Sequence, residues 1–140
     1  VKKRFMKYIN TIARCATLYR DGRLEGTGLG GYQAPYVLEI CRSPGITQDQ
    51  IAQELHVNRS SVTRQLTLLE ENGFIRRERS GMDRRAIEVY PAEKMLELLP
   101  SVRGVLTDWH SALAKILTQN EQDTLAGLLE RLAKHAETIV

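Results

Sequence analysis

The stretch NRSSVTRQLTLLEENGFIRRERSGMDRRAIEVYP, Asn58 to Pro91, carries seven arginines and five acidic residues. Asparagine is a good helix N-cap, because its side-chain oxygen accepts from the free N–H groups of the first turn. Gly73 suits the left-handed position just past a helix end. Between these two marks Val62, Leu66 and Leu69 fall on one face, while Arg59, Ser60, Ser61, Thr63, Arg64 and Thr67 spread over the rest. Behind Gly73 come two strand-like runs, FIRRER and AIEVY, joined through Ser80 to Asp83 with Arg84 and Arg85 on the returning side. The stretch therefore predicts one helix followed by one arginine-tipped hairpin.

Upstream, Thr47 and Gln50 form a capping box that predicts a short helix from Gln48 to Leu55, burying Ile51, Ala52 and Leu55. His56, Val57 and Asn58 make the turn that follows. Two short helices meeting at a three-residue turn are the pattern of a helix-turn-helix, and a hairpin directly behind the second is a wing. Such a hairpin is too short to hold a core of its own. Arg84 and Arg85 near its tip are placed to reach a phosphate backbone or a minor groove.

The flanks read as helices. Phe5, Tyr8, Ile9, Ile12, Cys15, Ala16 and Tyr19 give an apolar stripe over residues 4–20, and the glycine-rich segment Asp21 to Gly31 reads as a loop. A second, strongly apolar helix over Tyr32 to Arg42 stops at Ser43-Pro44-Gly45. From Ala92 to Val140 the pattern is helical, with a kink expected at Pro100 and a second capping box, Thr118 to Glu121, opening the last helix. Leu125, Leu128, Leu129, Leu132, Ala136 and Ile139 share one side of it. The terminal helices hold more apolar stripe than the small winged region can cover, which predicts a dimer.

Composition narrows the classes. With 140 residues, 42% hydrophobic and 26% charged, the chain suits one soluble domain, and no apolar run approaches the roughly 18 residues of a membrane span. The basic opening VKKRFMKY lacks the apolar run and cleavage site of a signal peptide, and Cys15 and Cys41 form no CxxC, so a cytoplasmic protein with reduced thiols is expected. Net charge is +3, unevenly spread: residues 1–23 carry seven bases and one acid, and 56–90 carry seven and five. Two basic regions suit an anionic partner.

Taken together, residues 45–91 resemble the winged helix-turn-helix of MarR-type transcriptional regulators. The resemblance rests on the Gly-Ile-Thr entry, Ser-Ser-Val-Thr-Arg at the second helix, Leu-Leu-Glu-Glu-Asn-Gly-Phe-Ile closing it, and Asp-Arg-Arg at the wing. The flanking helices fit as well, so it covers nearly the whole chain. It implies a mainly α fold with a small β-hairpin wing: one MarR-type domain over 1–140, a DNA-binding region over 32–90, and dimerisation helices over 1–22 and 92–140. It implies double-stranded DNA and a second copy of the chain as partners. Ser60, Ser61, Thr63, Arg64 and Gln65 are then expected in a major groove, with Arg59 or Thr67 near phosphate. Arg84 belongs to the wing, and Asp83 there is expected to orient Arg85 toward the minor groove. One departure is Tyr90-Pro91, where the family usually shows Leu-Thr, which leaves the end of the second wing strand open.

The resemblance further implies a repressor relieved by a small molecule, often an aromatic anion, seated between dimer helices and winged domain. Tyr8, Arg14, Tyr32, Tyr36, Trp109 and His110 lie in helices that could line such a cleft, although each also fits a core or interface role. One branch of the family senses peroxides through a cysteine on the first helix. Cys15 occupies such a helix but lies on its apolar stripe, which favours a packed thiol. His56, His110 and His135 share no ligand spacing, so neither a metal site nor a cofactor is expected. An enzyme is disfavoured too: GTGLGG opens no strand–helix unit of dinucleotide type, and no nucleophile–base pair stands out. A winged helix used for protein interaction is the closer rival, and the arginine wing argues against it.

Overall fold

A computed structural model describes residues 2–140. The chain runs through helix α1 (Met6–Arg23), a 3-10 turn (Gly31–Gln33), α2 (Ala34–Arg42), β1 (Ile46–Thr47), α3 (Gln48–Leu55), α4 (Arg59–Glu71), β2 (Ile75–Arg79), β3 (Ile87–Pro91), α5 (Glu93–Ala114) and α6 (Gln119–Ile139). It forms two compact units, one reaching to Leu106 and the other spanning Thr107–Val140. No helix among the described residues is long and apolar enough to cross a membrane.

In the first unit the capping signals act as their residue types dictate. Thr47 accepts from the Gln50 amide at 3.2 Å while Gln50 returns the bond to the Thr47 amide at 2.9 Å. Asn58 accepts from the Ser61 amide at 2.8 Å and starts α4. Between them His56 adopts the left-handed conformation, φ 53°, which reverses the chain in the space of the turn. At the far end of α4, Gly73 takes φ 79° and releases the chain into β2. Val62, Leu66 and Leu69 of α4 are buried with Ile51 of α3, Tyr36, Val37 and Ile40 of α2, Phe74, Val89, Met95 and Val102.

The wing is one strand larger than the sequence pattern implies. β1 pairs antiparallel with β3, Ile46 opposite Val89, and gives a three-stranded sheet in the order β1-β3-β2. Two residues are too few to leave a period-2 signal. The glycine-rich segment also departs from a plain loop. Helix α1 continues through Asp21, Gly22 and Arg23, and Leu24 and Leu29 enter the core at 1% and 5% exposure. Burial of these two leucines offsets the roughly 1 kcal/mol that one helical glycine costs. Pro91 closes β3 opposite Ile75, and the helix starts two residues later. Pro100 lies inside α5, which is continuous across it.

In the second unit, the Thr118–Glu121 capping box is formed in both directions, at 3.2 and 2.9 Å. Gln122 donates to the carbonyls of Ala114 and Leu117, tying the start of α6 to the end of α5. Helix α6 contains no buried residue, and its leucine stripe stands open.

Candidate nucleic-acid interface

Helix α4 presents its first two turns outward: Arg59, Ser60, Thr63 and Arg64 are exposed, and Ser61, Gln65 and Thr67 are half-buried. Local bonds decide what each can offer. Ser60 donates its hydroxyl proton to Asn58 Oδ1 at 2.8 Å, and Thr63 donates to the Arg59 carbonyl at 3.0 Å. With their protons engaged, both hydroxyls face outward as acceptors. Arg59 pairs with Asp49 of α3 at 3.3 Å, both ends exposed, so the pair is weak and its guanidinium is readily given up to a phosphate. Arg64 has no carboxylate partner among the described residues, and its charge opposes the rise in the Tyr36 phenol pKa that burial and Tyr32 produce.

Not every arginine of the stretch faces solvent. Arg77 sits opposite buried Val89 in the sheet register, on the covered side of β2. Its guanidinium donates to Gln48 Oε1 at 3.2 Å, Thr67 Oγ1 at 3.3 Å and Glu70 Oε1 at 3.0 Å, and its amide donates to Glu70 Oε2 at 3.1 Å. One side chain thus joins the wing to both helices of the helix-turn-helix. Thr67 joins this cluster as an acceptor for Arg77. Gln48, fixed by Arg77, turns its amide group toward Thr63 Oγ1 at 3.4 Å. Sequence reasoning missed Arg77 and Gln48. The available signal was strand alternation, which sets Ile75 and Arg77 on one face of β2.

The side-chain hydrogen bond from Arg77, ahead of their Coulomb attraction, holds the Glu70 carboxyl below its ordinary value of 4.5. A depressed carboxylate stabilises the fold above its unfolded pKa and loses that contribution as pH falls through the folded one. Arg77→Ala is expected to lower stability by about 1–3 kcal/mol at neutral pH, because three acceptors lose one charged donor. Glu70→Gln should cost under about 1 kcal/mol, since solvent screens this exposed carboxylate. Melting curves from pH 7 down to 3 check the sign: the gap between wild type and Glu70→Gln should narrow as pH falls below the ordinary carboxyl value of 4.5.

At the wing tip, Ser80 Oγ accepts from the amides of Met82 and Asp83 and tightens the turn. Asp83 Oδ1 accepts from the Arg85 backbone amide at 3.0 Å. The aspartate therefore shapes the turn from which Arg85 projects and holds its main chain. Arg84 and Arg85 are exposed, and the Arg84 carbonyl accepts from Arg79 at 2.9 Å. Arg76 lies over the Tyr90 ring at 4.4 Å, on the opposite side of the wing from Arg77.

The six residues considered for a ligand divide between the units. Tyr8, Arg14 and Tyr32 are exposed in the first unit, His110 is exposed and Trp109 half-buried in the second. Tyr32 and Tyr36 are in ring contact, with centroids 6.4 Å apart. Tyr36 belongs to the core at 2% exposure rather than to an open cleft, and its buried hydroxyl has no hydrogen-bond partner among the described residues. Cys15 is exposed in this chain, contrary to the packed thiol its stripe suggested. Cys41 is half-buried, and desolvation pushes its thiol pKa up despite Arg103. No group of three metal-ligating side chains gathers among the described residues.

The model of the MarR family matches residues 27–86. The HTH-type transcriptional regulator YybA of Bacillus subtilis is 26% identical over 132 residues, spanning 94% of this chain and 88% of that protein. A crystal structure of MarR superposes with a TM-score of 0.85 at 29% identity, covering 97% of this chain and 99% of the other. A MarR-family structure from Listeria monocytogenes in complex with 26mer DNA superposes with a TM-score of 0.88 at 23% identity, covering 96% and 89%.

Proposed function

The chain belongs to the MarR family of winged helix-turn-helix transcriptional regulators, and from that premise we propose that it is a cytoplasmic homodimeric repressor reading a pseudo-palindromic operator. The observation that carries the reading is the outward face of α4, acceptor hydroxyls beside the exposed Arg64, flanked by Arg84 and Arg85 on the wing. Serine and threonine oxygens accept from base amino groups or bond phosphate, and arginine reads guanine with two donors. In a dimer, two such helices related by a two-fold axis enter successive major grooves about 34 Å apart. A small-molecule effector that prefers one spacing of the two helices by a few kcal/mol would release the operator.

The wing tests this reading. Replacing both Arg84 and Arg85 with alanine should weaken binding to all duplexes alike and flatten the dependence of log K on log salt by up to about 0.9 for each phosphate no longer neutralised. An unchanged salt slope would remove the wing from the interface. The exposure of Cys15 favours a second reading, a thiol-based peroxide sensor on the same scaffold. Release of DNA by organic peroxide, abolished in Cys15→Ser, would select it.

A further inference from the structure

Gln33 is a polar side chain buried to 8% exposure, and its amide is oriented by bonds on both sides. Its Oε1 accepts from the Gly30 amide at 3.0 Å, and its Nε2 donates to Gln65 Oε1 at 3.3 Å. A backbone N–H can only donate, so the Gly30 amide fixes which end of the Gln33 side chain is oxygen. That in turn requires Gln65 to turn its own oxygen inward. The segment holding Gln33 is itself fixed on α1: the Gly31 amide donates to Asp21 Oδ1, and Arg20 Nε donates to the Gly31 carbonyl at 2.8 Å. A Cβ at Gly31 would collide with the Thr17 carbonyl, so the two backbones are in close approach there.

We propose that Gln33 is a positioning residue that restricts what Gln65 can read in DNA. A free glutamine pairs with adenine by accepting from N6 and donating to N7 at once. Gln65, with its oxygen held by Gln33, faces the groove with its two amide hydrogens alone. It therefore selects acceptor edges, guanine O6 and N7 or thymine O4, and discriminates against pairs that need an acceptor from the protein. The inference rests on the DNA-reading function proposed above and adds the polarity of one contact.

The test is selection from a randomised duplex pool with wild type, Gln65→Ala, Gln33→Glu and Gln33→Met, all as full chains, with folding checked by thermal melting. Wild type should enrich an acceptor edge at one position per half-site, and Gln65→Ala should lose the preference there alone. At about pH 8 the carboxylate of Gln33→Glu accepts from both neighbours, which forces the Gln65 amide to turn over and present its oxygen. Preference at that position should then move to donor edges, adenine N6 or cytosine N4, by roughly three- to tenfold. Gln33→Met removes the donor without introducing a charge, and the same position should broaden to admit adenine. The proposal is overturned if Gln33→Met keeps the wild-type preference, whatever Gln33→Glu does, or if Gln65→Ala changes no position. Enrichment of no sequence by wild type would instead refute the DNA-reading function, and the proposal with it.

Discussion

Glutamate at both Leu128 and Leu132 is expected to separate the proposed dimer and lower operator affinity by about 10²–10⁴-fold, the gain that two linked half-site contacts give over one. The two positions are one helical turn apart and share the open stripe of α6, at 47% and 43% exposure. Leu125, Leu129 and Ile139 extend that stripe at 46%, 41% and 70%. An apolar face of this length is what a self-complementary interface buries, and two carboxylates in it would be desolvated without partners. Neither leucine belongs to the core cluster of the first unit, so the winged region should keep its melting transition. Light scattering and anisotropy on the same sample check both halves. A variant that stays dimeric with wild-type affinity would place the dimer interface elsewhere.

Arg64→Ala should erase preference for one G·C pair in each half-site, a loss of about 1–3 kcal/mol, or roughly 5- to 150-fold. Arg59 is paired with Asp49, Arg77 is engaged by Gln48, Thr67 and Glu70, Arg76 stacks on Tyr90, and Arg79 bonds the Arg84 carbonyl. Of those on α4, Arg64 alone has no ion-pair partner among the described residues, so binding guanine breaks no existing salt bridge. Competition between the selected site and a site with that pair exchanged measures the effect directly. Affinity for unrelated DNA should fall far less, because only one phosphate-range charge is removed. Equal losses on both duplexes would make Arg64 a phosphate contact.

The parts of this fold that were legible in the sequence are those whose signals are local. Caps at Thr47, Asn58 and Thr118 mark helix starts because the capping bond is made within four residues. Gly73 marks a stop because the chain needs a positive φ there. The buried triad Val62, Leu66 and Leu69 follows from helical periodicity alone. What escaped is non-local. Strand β1 exists only because β3 passes beside Ile46, and Leu24 and Leu29 look like loop residues until the core that receives them is assembled. The functional face shows the same division. Residue types on α4 and at the wing tip named the candidates, but Arg77 is set apart from its arginine neighbours by the sheet register. The bonds from Gln33 to Gln65 and from Arg77 to Thr67 join residues 32 and 10 positions apart, beyond any sequence spacing rule.

Sequence-specific DNA binding is read by fluorescence anisotropy of the wild-type chain with duplex DNA from upstream of its own coding sequence. Titrations at several salt concentrations, beside a scrambled duplex of equal length, separate sequence reading from charge attraction. Tight binding that prefers the native duplex and weakens steeply as salt rises is the expected result. Equal, weak binding of both duplexes would rule out that upstream region as the operator. Absence of binding to either duplex even at low salt would overturn the DNA-reading function and turn the winged helix into a protein-interaction module.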